Sequence, residues 1–138
     1  MEKIYVTSER LNPQACIDQV RDDGSGGLVT FIGNVRNKTK NKTVHYLEFE
    51  AYEPMAIKEM QKIAEQAISK WKLYDMAIHH RIGKVPTGEE AVVIACSSAH
   101  RKASFEACEY AIDTLKETVP IWKKEVFEDG ETWVSAHP

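Results

Sequence analysis

The sequence has few of the features that mark secreted, membrane-spanning or nucleic-acid-binding proteins. Its three cysteines, at positions 16, 96 and 108, show no CxxC spacing and cannot all pair, so reduced thiols in a cytosolic protein are expected. No apolar run is long enough to span a bilayer, and the N-terminus lacks the charged-then-apolar pattern of an export signal. The net charge of -3 is not the basic excess of a nucleic-acid-binding protein. We predict a cytoplasmic protein with no membrane or nucleic-acid partner.

Motifs for phosphate-binding loops, dinucleotides and metals are also missing. The chain has no P-loop and no GxGxxG. His79 and His80 are adjacent rather than one helical turn apart, and no carboxylate–histidine cluster has a ligand spacing, so we expect no metal and no cofactor. Cys96 and Cys108 lie on apolar faces and are interpreted as small core residues, not nucleophiles. Because the chain ends at Pro138 and not in a diglycine, we do not expect a ubiquitin-like carrier.

The residues that are present can form one compact domain. Of 138 residues, 43% are hydrophobic and 28% are charged, which suits a packed core and an ordinary hydrated surface. Strand-like and helix-like segments are interspersed without a strict βαβ rhythm, and there are no repeats or linkers. We therefore predict a single domain, residues 1–138, of the α+β class with a mixed sheet.

Hydrophobic periodicity places the individual elements. Predicted strands cover residues 3–7, 28–32, 44–51, 76–82, 91–96, 121–127 and 132–134, predicted helices cover about 13–22, 54–71 and 105–119, and a turn covers 86–88. Asn12 caps the first helix, with Pro13 at its first position. The apolar run at residues 28–32 indicates a well-buried strand, and the polar residues 37–42 a mobile loop. Asp129-Gly130 is typical of a two-residue hairpin turn.

The first candidate site is residues 97–102, SSAHRK, between a predicted buried strand and a long helix. The start of a helix presents free backbone N–H groups and the positive end of its dipole, which favours anions. His100 and Arg101 add donors suited to phosphate or carboxylate. An N-cap serine followed by solvated basic residues explains the pattern equally well.

The second candidate site is residues 33–36, GNVR, directly after the strand at 28–32. Gly33 permits close backbone approach, and Arg36 can reach from a buried strand into a cleft. Considered alone, the segment is better explained as a turn with a surface arginine.

The third candidate site contains two lysines on either side of Pro120. Lys116 lies in the last turn of a helix, and Lys123 lies on the following strand, where alternation gives it the face of Glu125 and gives Lys124 the opposite face. Apolar neighbours predict a partly buried corner, in which an ammonium group is costly and can lose its proton near neutral pH. For an arbitrary sequence, dipole compensation and edge-strand lysines would be the preferred explanation.

Together these segments resemble the large, catalytic subunit of molybdopterin synthase. The resemblance covers nearly the whole chain, because the motifs occur in a family-like order and spacing. They are FIGNVR (31–36), LEFEAYEPMA (47–56), HRIG (80–83), SSAHR (97–101), and LK with PIWKKE (115–125). Family members carry a short polar tail beyond the tryptophan corresponding to Trp133, whereas this chain stops at Pro138. The resemblance favours the functional interpretation of all three candidate sites.

The resemblance implies a reaction, a partner and a fold. The enzyme of that family is a sulfurtransferase of molybdenum cofactor biosynthesis, which converts cyclic pyranopterin monophosphate into molybdopterin by installing two dithiolene sulfurs. Sulfur arrives as a thiocarboxylate on the C-terminal glycine of a small ubiquitin-like subunit, whose tail inserts into the large subunit. The large subunits form a central homodimer within a heterotetramer. The implied fold is an α/β-hammerhead with an added α+β subdomain.

The resemblance also implies residue roles. Lys116 and Lys123 are expected to be catalytic: Lys116 acts on the scissile thiocarboxylate, while Lys123 binds substrate and stabilises the developing anion. Glu125 is expected to orient Lys123, and each lysine to lower the pKa of the other. The residues expected to bind substrate are Arg36, His100, Arg101, Lys116, Lys123 and Glu125.

Two other functions fit parts of the sequence. A non-catalytic module that binds a phosphorylated ligand or a ubiquitin-like partner would need the lysines only for their charge. A cysteine-dependent sulfur transferase is disfavoured, because Cys96 and Cys108 are on core faces.

Overall fold

The computed structural model describes residues 1–135. In chain order the elements are β1 (Ile4–Thr7), α1 (Pro13–Val20), β2 (Gly27–Asn34), β3 (Lys38–Thr39), β4 (Lys42–Ala51), α2 (Glu53–Trp71), β5 (Asp75–Arg81), β6 (Gly83–Pro86), β7 (Glu90–Ser98), α3 (Arg101–Thr118), β8 (Ile121–Phe127) and β9 (Gly130–Ser135).

The strands form two sheets. The first has the order β1-β5-β7-β2, with β1 and β5 parallel and the other pairs antiparallel. The second has the order β3-β4-β8-β9, with β6 also paired to β4, and is antiparallel throughout. The predicted α+β class with a mixed sheet is therefore confirmed.

The helices begin and end where local chemistry places them. The Asn12 side chain accepts a hydrogen bond from the backbone N–H of Gln14 at 3.0 Å, as an N-cap should, although α1 ends slightly earlier than predicted. The long helix α2 ends at Trp71, and its C-cap Lys72 has a left-handed backbone (φ 52°) and donates its N–H to the carbonyl of Ile68. Met60 and the other buried residues of α2 recur at helical spacing and so lie along one side of the helix.

Two apolar clusters form the core. The larger packs α2 and α3 against the first sheet and continues to the start of β8, and it includes Met60, Met76, Ile94, Leu115 and Ile121. The smaller lies under α1 and contains Leu11, Cys16, Val20, Ala77, Val93 and Ala95. All three cysteines are free and buried; burial was predicted for Cys96 and Cys108 but not for Cys16.

Two local predictions were wrong, and one strand was missed. Strand β2 is not well buried: it is an edge strand, half-buried along its length, and Ile32 is 40% exposed. The segment 37–42 is not a mobile loop but a hairpin, in which Lys40 and Asn41 have left-handed φ angles of 51° and 67°. Strand β6 was not predicted, because it is short and ends at Pro86, a residue that strands tolerate mainly at ends and edges.

Within residues 1–135, no helix combines the length and apolar character needed to cross a bilayer. The described residues also contain no group of three or more His, Cys, Asp or Glu side chains that could hold a metal ion. Residues 136–138, and with them the chain end considered in the sequence, lie outside the described residues.

Candidate functional site

A narrow pocket of about 130 Å³ opens where the last turn of α3 meets β2, β4, β5, β7 and β8. Its walls are mainly apolar, and its polar side chains come from four of these elements. The lining residues are Phe31, Gly33, Asn34, Leu47, Phe49, His80, Ala91, Val92, Ile112, Leu115, Lys116 and Lys123. The two lysines singled out in the sequence therefore share one pocket.

The change from helix to strand around Pro120 brings the two lysines together. Helix α3 ends at Thr118, its C-cap Val119 donates its N–H to the carbonyl of Leu115, and β8 begins two residues later with the buried Ile121. Strand alternation then places Lys123 in the pocket wall, half-buried and directly opposite Phe49 on β4. The helix and the strand thus present their lysines to the same space.

The neighbouring lysine, Lys124, occupies the other face of β8, as predicted. It forms an ion pair with Glu48 of β4, with an Nζ–Oε2 distance of 3.0 Å. Although the two lysines are adjacent in the chain, Lys123 lines the pocket, whereas Lys124 pairs across the sheet.

The environment of Lys123 lowers its pKa below the usual value. Burial is the largest cause, because it removes water from the ammonium group, and the positive charges of Lys116 and Arg36 lower the pKa further. The carboxylate of Glu125 opposes them and raises it. The predicted effect of Lys116 on Lys123 is therefore present, and Arg36 is close enough to act on the same ammonium.

Glu125 lies two residues after Lys123 on β8, on the same face of the strand. It is 4% exposed, and its Oε2 has no hydrogen-bond partner among the described residues. A buried carboxylate with a vacant oxygen is costly unless a nearby cation compensates it. Its favourable interaction with Lys123 supplies part of that compensation.

His80 is a pocket residue whose role the sequence did not reveal. It is 2% exposed, its ring meets Phe49 edge-on at 5.2 Å between centroids, and its Nδ1 lies 2.8 Å from the carbonyl oxygen of Arg81. Since a carbonyl can only accept, Nδ1 carries the proton and Nε2 does not. Burial also lowers the His80 pKa to about 4, so the ring is neutral. The sequence feature that could have indicated a role is its position in the HRIG motif. From the sequence, His80 was considered only as a metal ligand.

The residues of the first candidate site form a second, more open pocket of about 360 Å³ at the start of α3. It is lined by Gly26, Ala99, His100, Arg101 and Lys102. The N-cap of α3 is His100, not a serine, and its side chain makes no capping hydrogen bond. The first-turn N–H groups are therefore not occupied by a side-chain cap.

Buried serines hold this turn in place. The Ser98 hydroxyl lies 2.6 Å from the carbonyl of His100 and 2.6 Å from the hydroxyl of Ser104. The Ser98 carbonyl in turn accepts from the N–H of Gly26 at 3.0 Å. The loop before β2 and the start of α3 are thereby bound to one another.

Within a single chain the two pockets are far apart. Arg101 begins α3 and Lys116 lies in its last turn, so the rise of 1.5 Å per residue separates them by about 22 Å along the helix. The predicted set thus divides into Lys116, Lys123, Arg36 and Glu125 at one end of α3, and His100 and Arg101 at the other.

Comparison with known proteins identifies the family. The family model described as MoaE protein matches residues 6–118. The chain belongs to the MoaE family. The molybdopterin synthase catalytic subunit of Bacillus subtilis is 48% identical over 134 residues, which cover 97% of this chain and 85% of that protein.

Solved structures of the family share the fold. The crystal structure described as molybdopterin synthase from Staphylococcus aureus has a TM-score of 0.94 and 40% identity, covering 98% of both chains. A chain from a complex of subunits 1 and 2 of molybdopterin-converting factor from Helicobacter pylori has a TM-score of 0.81, covering 99% of this chain and 94% of its own. At 22% identity, that second similarity shows the fold alone.

Proposed function

We propose that this protein is the catalytic subunit of a molybdopterin synthase, a sulfurtransferase that converts cyclic pyranopterin monophosphate into molybdopterin. The observation that carries the proposal is the pair of Lys116 and Lys123 in one apolar pocket, where burial and like charge lower the pKa of Lys123. The relatives named molybdopterin synthase support the same activity.

The pocket suits a reaction in which negative charge develops on a reacting oxygen and on sulfur. After a thiocarboxylate sulfur bonds to the pterin, water must cleave the acyl–sulfur bond to release the carrier as a carboxylate. The tetrahedral intermediate of that step carries an oxyanion, which the Lys116 ammonium is proposed to stabilise. Lys123, with its lowered pKa, is proposed to bind the substrate and to exchange protons with it. Glu125 is proposed to hold Lys123 in position.

We propose that the sulfur donor is the thiocarboxylated tail of a small ubiquitin-like subunit. A pocket of about 130 Å³ is far below the roughly 300–1,000 Å³ of sites that enclose drug-sized ligands. It can admit an extended chain end that lacks side chains, whereas a fused pterin would have to lie at the mouth, near Arg36. The related H. pylori chain belongs to a complex of two subunits, as this proposal requires.

We also propose that a second copy of the chain completes each site. His100 and Arg101 are suited to a phosphate, yet α3 holds them about 22 Å from Lys116. A two-fold homodimer would place the start of α3 from one copy beside the pocket of the other, within the expected heterotetramer. The phosphate would then be bound by both copies.

The activity is tested by assaying molybdopterin formation with a thiocarboxylated partner and the cyclic pterin. Lys116→Ala is expected to lower kcat by about 10²–10³ while partner binding persists. Lys116→Arg should also be damaging, whereas a module that needs only charge would tolerate it. Lys124→Ala, which removes the adjacent β8 lysine, is the matched control and should retain activity. Full activity of Lys116→Ala would contradict the assignment.

The shared site is tested by mixing two inactive variants, Lys116→Ala and the double variant His100→Ala/Arg101→Ala. Random reassociation of a homodimer makes about half of the dimers mixed, and each mixed dimer has one intact site. The mixture should therefore recover up to about a quarter of wild-type activity. Dimers that exchange subunits but recover no activity would show that each site uses one chain only.

We further propose that residues 1–138 form one domain in the cytoplasm. The larger apolar cluster joins elements from β1 to β8, which supports a single folding unit. The three free, buried thiols suit a reducing compartment.

A further inference from the structure

The pocket contains one buried polar group that the proposed reaction does not use, the imidazole of His80. Its Nδ1–H is committed to the carbonyl of Arg81, 2.8 Å away, and Phe49 packs against the ring. These contacts fix both the tautomer and the orientation of the ring. Nε2, the remaining ring nitrogen, makes no hydrogen bond to any residue in the described part of the chain, and the side chain lines the pocket. It is an acceptor prepared for a donor that the chain itself does not supply.

The other polar groups of the pocket have different properties. The ammonium groups of Lys116 and Lys123 are donors when charged and favour anionic parts of a ligand. Asn34 has an acceptor oxygen, but its side chain is exposed and can be solvated. His80 is therefore the buried acceptor of this pocket, which a ligand group contacts once that group has been desolvated.

The size of the pocket indicates which ligand donor reaches this acceptor. A volume of about 130 Å³ is less than half of the roughly 300 Å³ of the smallest sites that enclose drug-sized ligands. A slender chain end fits this space, and such an end carries a backbone N–H beside its terminal carbonyl. Leaving that N–H unpaired in an apolar pocket is costly, and we expect about a tenfold loss of affinity, equivalent to about 1.4 kcal/mol.

We propose that His80 Nε2 accepts a hydrogen bond from the last peptide N–H of the sulfur carrier's tail. His80 is thus a binding residue that holds the terminal glycine in place while its thiocarboxylate reaches Lys116 and Lys123. This proposal rests on the proposed function, because it assumes that a carrier tail enters the pocket.

A double-substitution experiment on protein and tail tests this contact. In the protein, His80→Phe removes the acceptor and keeps an aromatic ring against Phe49. In the carrier, glycolic acid replaces the terminal glycine, so that an ester oxygen takes the place of the N–H with little change of shape. The KM for the thiocarboxylated carrier is measured for all four combinations. Each single change should raise KM about tenfold, and both together should raise it no further.

The adjacent histidine provides a matched control. His79 is also buried, but it faces Tyr5 and Gln19, away from the pocket, so His79→Phe should leave the KM for the carrier unchanged. The ester arm uses the wild-type protein and remains decisive if His80→Phe folds poorly.

Each remaining outcome has a defined meaning. Multiplicative effects of the two changes, or no effect of the ester on wild-type protein, would overturn the proposal. A rise in KM for the pterin alone in His80→Phe would also overturn it, because the donor would then be the pterin. Absence of molybdopterin with wild-type protein and the native carrier would instead refute the proposed function.

Discussion

Replacing Gly33 with alanine is expected to destabilise the protein mainly through close contact with Val92, with a milder contact at 3.3 Å from Phe31 Cε2. Gly33 and Val92 are directly opposite each other on β2 and β7, and a Cβ on Gly33 would lie 2.7 Å from Val92 Cγ1. Valine is stiff at χ1, so this methyl group cannot move away without leaving its preferred rotamer. Overpacking of this kind costs about 1–3 kcal/mol.

The substitution Val92→Ala should reverse the sign of the effect. Gly33 does not have one of the positive φ angles found at Gly83, Gly88 and Gly130, so alanine can adopt its backbone conformation. Without the clash, alanine at position 33 should stabilise the fold by about 0.4–1 kcal/mol, because it restricts the unfolded chain. In the wild-type background the same change should lower the free energy of unfolding by about 0.5–2 kcal/mol.

The assay is urea unfolding at equilibrium, followed by circular dichroism, on the wild type, both single variants and the double variant. Val93→Ala is the control: it lies next to Val92 but packs into the cluster under α1, so Gly33→Ala should remain destabilising beside it. Additive effects of Gly33→Ala and Val92→Ala would refute the reasoning, since the predicted penalty arises mainly from their contact.

Three further predictions concern protonation and capping. Because burial lowers the pKa of Lys123 below 10.5, the unfolded state binds this proton more tightly; the free energy of unfolding should rise with pH in the window just below 10.5, and Lys123→Met should flatten that rise in urea titrations. The His80 pKa falls from 6.5 to about 4, so stability should decrease by about 3 kcal/mol as pH drops through that window, and the decrease should be absent in His80→Phe. Asn12→Ala should lower the free energy of unfolding by about 1 kcal/mol in the same assay, through loss of the α1 cap; an unchanged value would show that the cap contributes nothing.

Regular elements with local signals could be predicted from the sequence. The helical spacing in α2 and the hairpin between β8 and β9 are determined by residues near each other in the chain, and both were confirmed. The two turn residues are Glu128 and Asp129, one position earlier than predicted, because Gly130 already pairs with Phe127. The burial of β2 could not be predicted, because an apolar run does not reveal whether a second strand covers its outer edge. The same holds for β6, whose strand conformation depends on pairing with the distant β4.

The site could be predicted in parts but not as an arrangement. Strand alternation separated Lys123 from Lys124 correctly. The sequence already placed His100 before α3 and Lys116 in its last turn, but the basic motifs were grouped by chemistry and not by position. His80 was missed because its tautomer depends on a backbone carbonyl and on burial by Phe49, which no spacing rule encodes.

Helix α3 has a consequence for how this chain can vary in length. Inserting one residue within α3 would turn Lys116 by about 100° around the helix axis, away from the pocket, and would shift it by about 1.5 Å relative to His100. The two-residue turn at Lys40 and Asn41, by contrast, does not line either pocket and can be lengthened at little entropic cost. Natural insertions and deletions should therefore accumulate at the β3–β4 turn and be excluded from the interior of α3.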